Sequence, residues 1–245
     1  MVVTTESVDV PAQGSPMRML VTAPRAEGGY PGLLMYPDIF QITPSQRRLS
    51  TRLAGYGFVV ATPEIYHRIE PAGTAFAFDD AGRTRGLDDA RRTTVSQFDA
   101  DCRIALDWLT AHPRVKRGAL GAMGFCIGGH LAFRAALQPD VRATVCFYPT
   151  GVHDGKLGHD ADAGTLARTA ELTGELLLVF GAADPHVPAE ARAVIASALS
   201  AASARVTTTL YEAEHAFMRD EGPRYDPEAT DRAWSEAVAF LRRTL

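Results

Sequence analysis

Six residues constrain the fold more than any others in the chain: Gly124-Phe125-Cys126-Ile127-Gly128-Gly129. They complete an apolar, strand-like run, Ala119 to Phe125, and open a small-residue segment of helical character, Ile127 to Leu137. A chain that passes from strand to helix across one residue turns very tightly. A Cβ two positions either side of the turn would meet neighbouring backbone, so glycine stands there. The pattern is that of a nucleophile elbow with cysteine in place of serine. It sets the Cys126 sulfur beyond the end of a strand and at a helix N-terminus, where the dipole favours a thiolate. It also leaves the N–H of Ile127 free to donate to an oxyanion.

The rest of the chain supplies a sheet for that strand to join. Val2 to Val10 and Met17 to Thr22 read as an antiparallel hairpin at a sheet edge. Leu33 to Tyr36 and Phe58 to Ala61 read as buried strands, with a helix between them. Thr43-Pro44-Ser45-Gln46 starts that helix, with a capping threonine, a first-turn proline and a glutamine at the capping-box position. From Glu64 to Thr94 the pattern breaks down into mixed charges and glycines, which is read as a long, partly helical, solvated insertion. Helical spacing returns at Phe98, Cys102, Ala105 and Leu109. Ala143 to Tyr148, Glu175 to Phe180 and Arg205 to Tyr211 read as strands, and Ala189 to Leu199 and Asp226 to Arg242 as helices. Strands alternating with helices imply an α/β class: a mainly parallel central sheet with helices on both faces. The 245 residues suit a single domain spanning 1–245.

In such sheets the site lies beyond the carboxyl ends of the strands. Four chemistry-bearing residues fall there: Asp38, Cys126, Asp184 and His215. Cys126, Asp184 and His215 occur in the order nucleophile, acid, base, and the mechanism needs a base near the thiol in space though distant in sequence. His186 is so near Asp184 in sequence that both are not expected in one relay. His130 is expected to be packed or on the surface. His67, His112, His153 and His159 fall in loops without supporting context. No tight ligand spacing points to a metal. Cys102 and Cys146 lie on an apolar helix face and inside a strand, and read as core thiols.

Composition narrows the partners. A net charge of −4 argues against a nucleic-acid binder. No apolar run approaches the roughly 20 residues needed to span a bilayer. The first ten residues lack a basic start followed by an apolar stretch. Three cysteines make a disulfide framework unexpected, so the cytoplasm is the expected compartment. A monomer or small homo-oligomer is expected.

At this point the sequence resembles the dienelactone hydrolase (carboxymethylenebutenolidase) family of α/β-hydrolases. The matching stretches are Pro37-Asp38-Ile39-Phe40, Gly55 to Pro63, Gly124 to Gly129, Ala183 to Pro188 and His215-Ala216-Phe217. The resemblance implies an α/β-hydrolase fold, no cofactor, and hydrolysis of an ester or lactone through an acyl-cysteine. It places Asp38 where the family has a glutamate that helps to form the thiolate, and aspartate is one methylene shorter. It makes the N–H of Ile39 a second oxyanion donor beside that of Ile127. It also assigns Arg219, with Arg83 or Arg85, to the carboxylate of a dienelactone-like substrate, since a guanidinium fork grips a carboxylate in two places. Two other readings keep the fold. One is a broader small-ester or thioester hydrolase. The other is a non-catalytic, redox-sensing or ligand-binding homologue in which Cys126 is an oxidisable thiol.

Overall fold

The computed structural model describes residues 1–245. Eight strands form one sheet: β1 Val3–Val10, β2 Met17–Pro24, β3 Tyr30–Tyr36, β4 Val59–Pro63, β5 Val115–Phe125, β6 Val141–Phe147, β7 Glu175–Gly181 and β8 Arg205–Tyr211. Their spatial order is β1-β2-β4-β3-β5-β6-β7-β8. β2 pairs antiparallel with both β1 and β4, and every other pair is parallel. The hairpin and the mainly parallel sheet are as the sequence predicts.

Six helices cover the sheet: α1 Pro44–Gly55, α2 Asp80–Arg92, α3 Val95–Ala111, α4 Ile127–Ala135, α5 Ala189–Ala201 and α6 Pro227–Thr244. They divide between two faces, because a parallel strand is apolar on both sides. In β7, Leu176, Leu178 and Phe180 join a core shared with residues of α3, α4 and α5. Leu177 and Val179 join a second core with Leu53 and Ala54 of α1 and Trp234 and Leu241 of α6. Alternate side chains of one strand therefore tie both helix layers to the sheet.

Local chemistry explains the helix boundaries. Thr43 caps α1 by accepting from the Gln46 N–H, as expected. The reciprocal half of the box is not made, because the Thr43 N–H donates to the Gln41 carbonyl instead. The expected long insertion differs more. Within Glu64 to Thr94 lies α2, capped by Asp79, whose carboxylate accepts from the Gly82 N–H at 2.7 Å. Gly82 and Gly86 weaken the helical signal, yet both are required by contact. An added Cβ would stand 2.1 Å from the Ala77 carbonyl oxygen at the first and 2.3 Å from that of Ile39 at the second. α2 thus lies directly on the loop that follows β3. No helix is long and apolar enough to cross a membrane.

Candidate active site

The loops after β3, β5, β6, β7 and β8 converge at one end of the sheet. Non-glycine residues with positive φ number five in the chain, and four of them are in these loops: Gln41 (67°), Cys126 (57°), Tyr148 (37°) and Ala216 (62°). Such conformations cost energy and persist only where the surroundings hold them. Cys126 sits between β5 and α4 with ψ −121°. The flanking glycines are there for contact. A Cβ on Gly124 would lie 1.9 Å from the Gly128 oxygen, and one on Gly128 would lie 2.2 Å from the Pro37 oxygen.

Cys126, His215, Ile39, Ile127, Arg83 and Arg219 line one cavity of about 500 Å³. Asp184 stands behind His215, fully covered. Its Oδ2 is 2.7 Å from His215 Nδ1, and its Oδ1 accepts from the His186 N–H at 2.7 Å and the Val187 N–H at 3.3 Å. Burial alone would raise this carboxyl, but the hydrogen bond and charge of His215 hold it below the ordinary aspartate value. His215 responds in the opposite sense. Burial disfavours its cation, yet interaction with Cys126 and the hydrogen bond that Nδ1 donates to Asp184 raise it to about 9. The Cys126 sulfur makes no regular hydrogen bond to the ring in this arrangement. Its near polar neighbour is Thr150 Oγ1 at 3.8 Å. Catalytic hydrogen bonds often tighten only with substrate bound.

The N–H groups of Ile39 and Ile127 are the expected oxyanion donors. Ile127 is the first residue of α4, so its N–H lies outside the helical ladder. The Ile39 N–H makes none of the loop hydrogen bonds. The loop that carries Ile39 is fastened on several sides. Asp38 Oδ1 accepts from the Phe40 N–H at 2.9 Å, and the Phe40 carbonyl accepts from the Phe76 N–H at 3.0 Å.

Asp38 does not line the cavity that holds Cys126. Its second oxygen is taken by Arg219, through Nε at 3.1 Å and through Nη2. The Arg219 guanidinium lies between Phe40 and Phe78, 4.7 Å from each ring centre. Asp38 is therefore a partner of Arg219, in place of the thiol contact that the resemblance suggests for this position. Arg83 lines the cavity but Arg85 does not. Arg85 Nε donates to Glu70 at 2.7 Å, and its charge lies 5.1 Å from the Phe76 ring centre. Of the two arginines expected near the substrate, Arg83 is therefore the one placed on the cavity, and Arg85 is turned to Glu70. On a helix, side chains two positions apart point in different directions, so only one of the pair can face the cavity.

Cys102 and Cys146 are buried, and burial pushes the Cys102 thiol up to about 12 and the Cys146 thiol higher still. Neither lines the cavity. His130 is wholly buried. Its Nδ1 donates to the Thr150 carbonyl at 3.0 Å, and its Nε2 therefore accepts from Thr165 Oγ1 at 2.7 Å. Burial, then the charge of Arg134, lowers it to about 3, so it stays neutral. His153 and His159 belong to no group of metal-ligating side chains.

Sequence reasoning misses three residues here. His186 packs edge-on to His215, with ring centres 4.7 Å apart, and lines the cavity. Tyr148 packs on another side of His215, 5.0 Å away. Thr150 touches the sulfur and donates its N–H to the Cys126 carbonyl. For His186 a signal exists, since it lies in the same post-strand loop as Asp184. Nothing in the sequence singles out the other two.

The model of the dienelactone hydrolase family matches residues 17–245. The chain belongs to the dienelactone hydrolase family. A putative carboxymethylenebutenolidase from Saccharomyces cerevisiae is 34% identical over 216 residues, covering 85% of this chain and 79% of that protein. A carboxymethylenebutenolidase from Pseudomonas sp. (strain P51) is 27% identical over 98% of this chain and 95% of its own length. The crystal structure of a putative dienelactone hydrolase from Klebsiella pneumoniae superposes with a TM-score of 0.88 at 24% identity, covering 99% of this chain and 100% of that one. The fold is thus the α/β-hydrolase fold, and the family is one of hydrolases.

Proposed function

We propose that the protein hydrolyses a carboxylate-bearing lactone or ester, of the dienelactone kind, through an acyl-cysteine. The arrangement of His215 carries the reading: buried, held by Asp184 at 2.7 Å, and raised against burial to about 9 by its interactions with Cys126 and Asp184. A free thiol is only a few per cent ionised at neutral pH, so an imidazolium that stabilises the thiolate supplies the nucleophile. The Cys126 sulfur attacks the acyl carbon, and the Ile127 and Ile39 N–H groups receive the developing oxyanion. One such donor contributes about 3 kcal/mol to the barrier in a well-studied hydrolase. His215 gives its proton to the departing oxygen. It then takes a proton from the water that cleaves the thioester, which releases the acid and restores the thiol.

The cavity supports an anionic substrate. Arg219 lines the cavity and donates to Asp38 through Nε and Nη2, which leaves Nη1 without a protein hydrogen-bond partner. A carboxylate there would receive a charge-assisted hydrogen bond from a guanidinium already fixed by Asp38, Phe40 and Phe78. Arg83 stands on the same cavity. The expected substrate is a small molecule, and the site needs no cofactor for these steps.

Dienelactone offered to the wild-type protein and to Cys126→Ser tests the reading through loss of the conjugated ultraviolet absorbance. Rapid loss with wild type and sharply slower loss with the serine form is expected. Equal rates would overturn the cysteine mechanism. No turnover by wild type would overturn the substrate, and a panel of neutral and carboxylated esters would then define it.

A further inference from the structure

The Cys126 sulfur makes one hydrogen bond, and the acyl-transfer steps above do not use it. Its partner is the Thr150 hydroxyl at 3.8 Å, within range for a large, polarisable sulfur. Thr150 lies in the loop after β6 and lines the cavity with Cys126 and His215. Its Oγ1 has no other partner in the protein.

The place of that hydroxyl is fixed through its own backbone. The Thr150 N–H donates to the Cys126 carbonyl at 3.2 Å, and the same carbonyl accepts from the Gly129 and His130 N–H groups at 2.9 and 3.3 Å. The Thr150 carbonyl accepts from His130 Nδ1 at 3.0 Å. His130 is in turn oriented by the Thr165 hydroxyl at 2.7 Å, and that hydroxyl accepts from Arg134 Nη1 at 2.8 Å. Arg134 Nε donates to Asp99 at 2.8 Å, so the chain of bonds runs from the nucleophile to α3. The neighbours of Thr150 are held as well. Tyr148 has φ 37°, and its N–H donates to the Val179 carbonyl at 2.7 Å. Gly151 has φ 72°, and a Cβ there would stand 2.0 Å from the Lys156 carbonyl oxygen.

The direction of the bond to sulfur follows from its charge. A thiolate carries no proton and only accepts, so in the reactive state the Thr150 O–H donates. A donor approaches an anion more closely and binds it more strongly than it binds a neutral group. The bond therefore favours thiolate over thiol, and no proton leaves Thr150.

We propose that Thr150 is a further catalytic residue, whose hydroxyl donates to the Cys126 thiolate and stabilises it beside the His215 imidazolium. The same bond serves again when the thiolate leaves the second tetrahedral intermediate. Its part in turnover rests on the acyl-cysteine reading above, whereas its effect on the thiolate does not.

Two measurements test it. In the first, alkylation of Cys126 by iodoacetamide is followed by peptide mass across a range of pH, with no substrate present. Cys102 and Cys146 are buried, and burial raises both thiols, so the label at neutral pH reads Cys126. Thr150→Val keeps the shape and removes the hydroxyl. Its rate at neutral pH should fall about tenfold, the scale of one hydrogen bond to a charged group. At high pH, where the thiolate is complete in both forms, its rate should reach that of wild type. Thr150→Ser should restore the neutral rate. An unchanged neutral rate in Thr150→Val, or an equal loss at every pH, would overturn the proposal. In the second, dienelactone turnover by the same forms is split into kcat and KM. Thr150→Val should lower kcat with KM little changed, and a loss confined to KM would place the hydroxyl on the substrate and overturn the assignment. If wild type turns over no dienelactone, the hydrolase reading fails for that substrate while alkylation still decides the donor.

Discussion

Burial disfavours the His215 cation, and interaction with Cys126 and the hydrogen bond to Asp184 raise it against that effect. The rise from 6.5 to about 9 favours the imidazolium by about 3 kcal/mol. Cys126→Ser replaces an ionisable thiol by a hydroxyl that stays neutral. Asp184 then acts alone against burial, and His215 should titrate lower by at least about one unit, or roughly 1.4 kcal/mol. The assay is NMR of the imidazole protons in wild type and Cys126→Ser across the alkaline range. The folded-state pKa is raised, so the His215 proton contributes stability that is complete below about 6.5 and is lost as pH rises through about 9. Wild type should therefore lose stability to urea over that window, and the serine form should lose it at lower pH. An unchanged His215 titration near 9 in Cys126→Ser would refute the ion pair and, with it, the account of how the thiolate forms.

Two other substitutions test separate parts of the site. Gly124→Ala forces a Cβ to within 1.9 Å of a backbone oxygen and should cost about 3 kcal/mol or more, read as a lower urea midpoint. Asp184→Asn keeps an oxygen for the His186 and Val187 N–H groups but removes the charge that supports the imidazolium. Turnover should fall by about 10²- to 10⁴-fold with the unfolding midpoint little changed, and near-normal kcat would show that His215 needs no acid.

What was legible in the sequence follows from the range of the forces involved. The elbow could be read because its tight turn is local: Gly124 is needed by the Gly128 carbonyl four residues on, although Gly128 itself answers to the Tyr36 and Pro37 backbone. Buried parallel strands such as β7 could be read because both faces are apolar. α2 could not be read by periodicity, since its glycines answer to Ala77 and Ile39, and a contact distant in sequence leaves no pattern nearby. The α3 start was legible in principle. Thr94-Val95-Ser96-Gln97 forms a complete capping box, with the Gln97 side chain accepting from the Thr94 N–H at 2.8 Å.

The site shows the same division, and His186 shows where the rule misleads. Nearness to Asp184 argues against two side chains in one relay, and only Asp184 hydrogen-bonds His215 through its side chain. His186 is nevertheless part of the site by two routes: its backbone N–H holds the other Asp184 oxygen, and its ring packs on His215. Asp38 shows the complementary case. Its place after a strand was legible, but its partner was not, because the pairing depends on Arg219 at the far end of the chain. The shorter carboxylate and the arginine form a unit that fixes the loop bearing Ile39 and presents a guanidinium to the cavity. On the proposed mechanism the carboxylate after β3 serves the oxyanion loop and the substrate's charge, and activation of the thiol falls to His215 and Asp184.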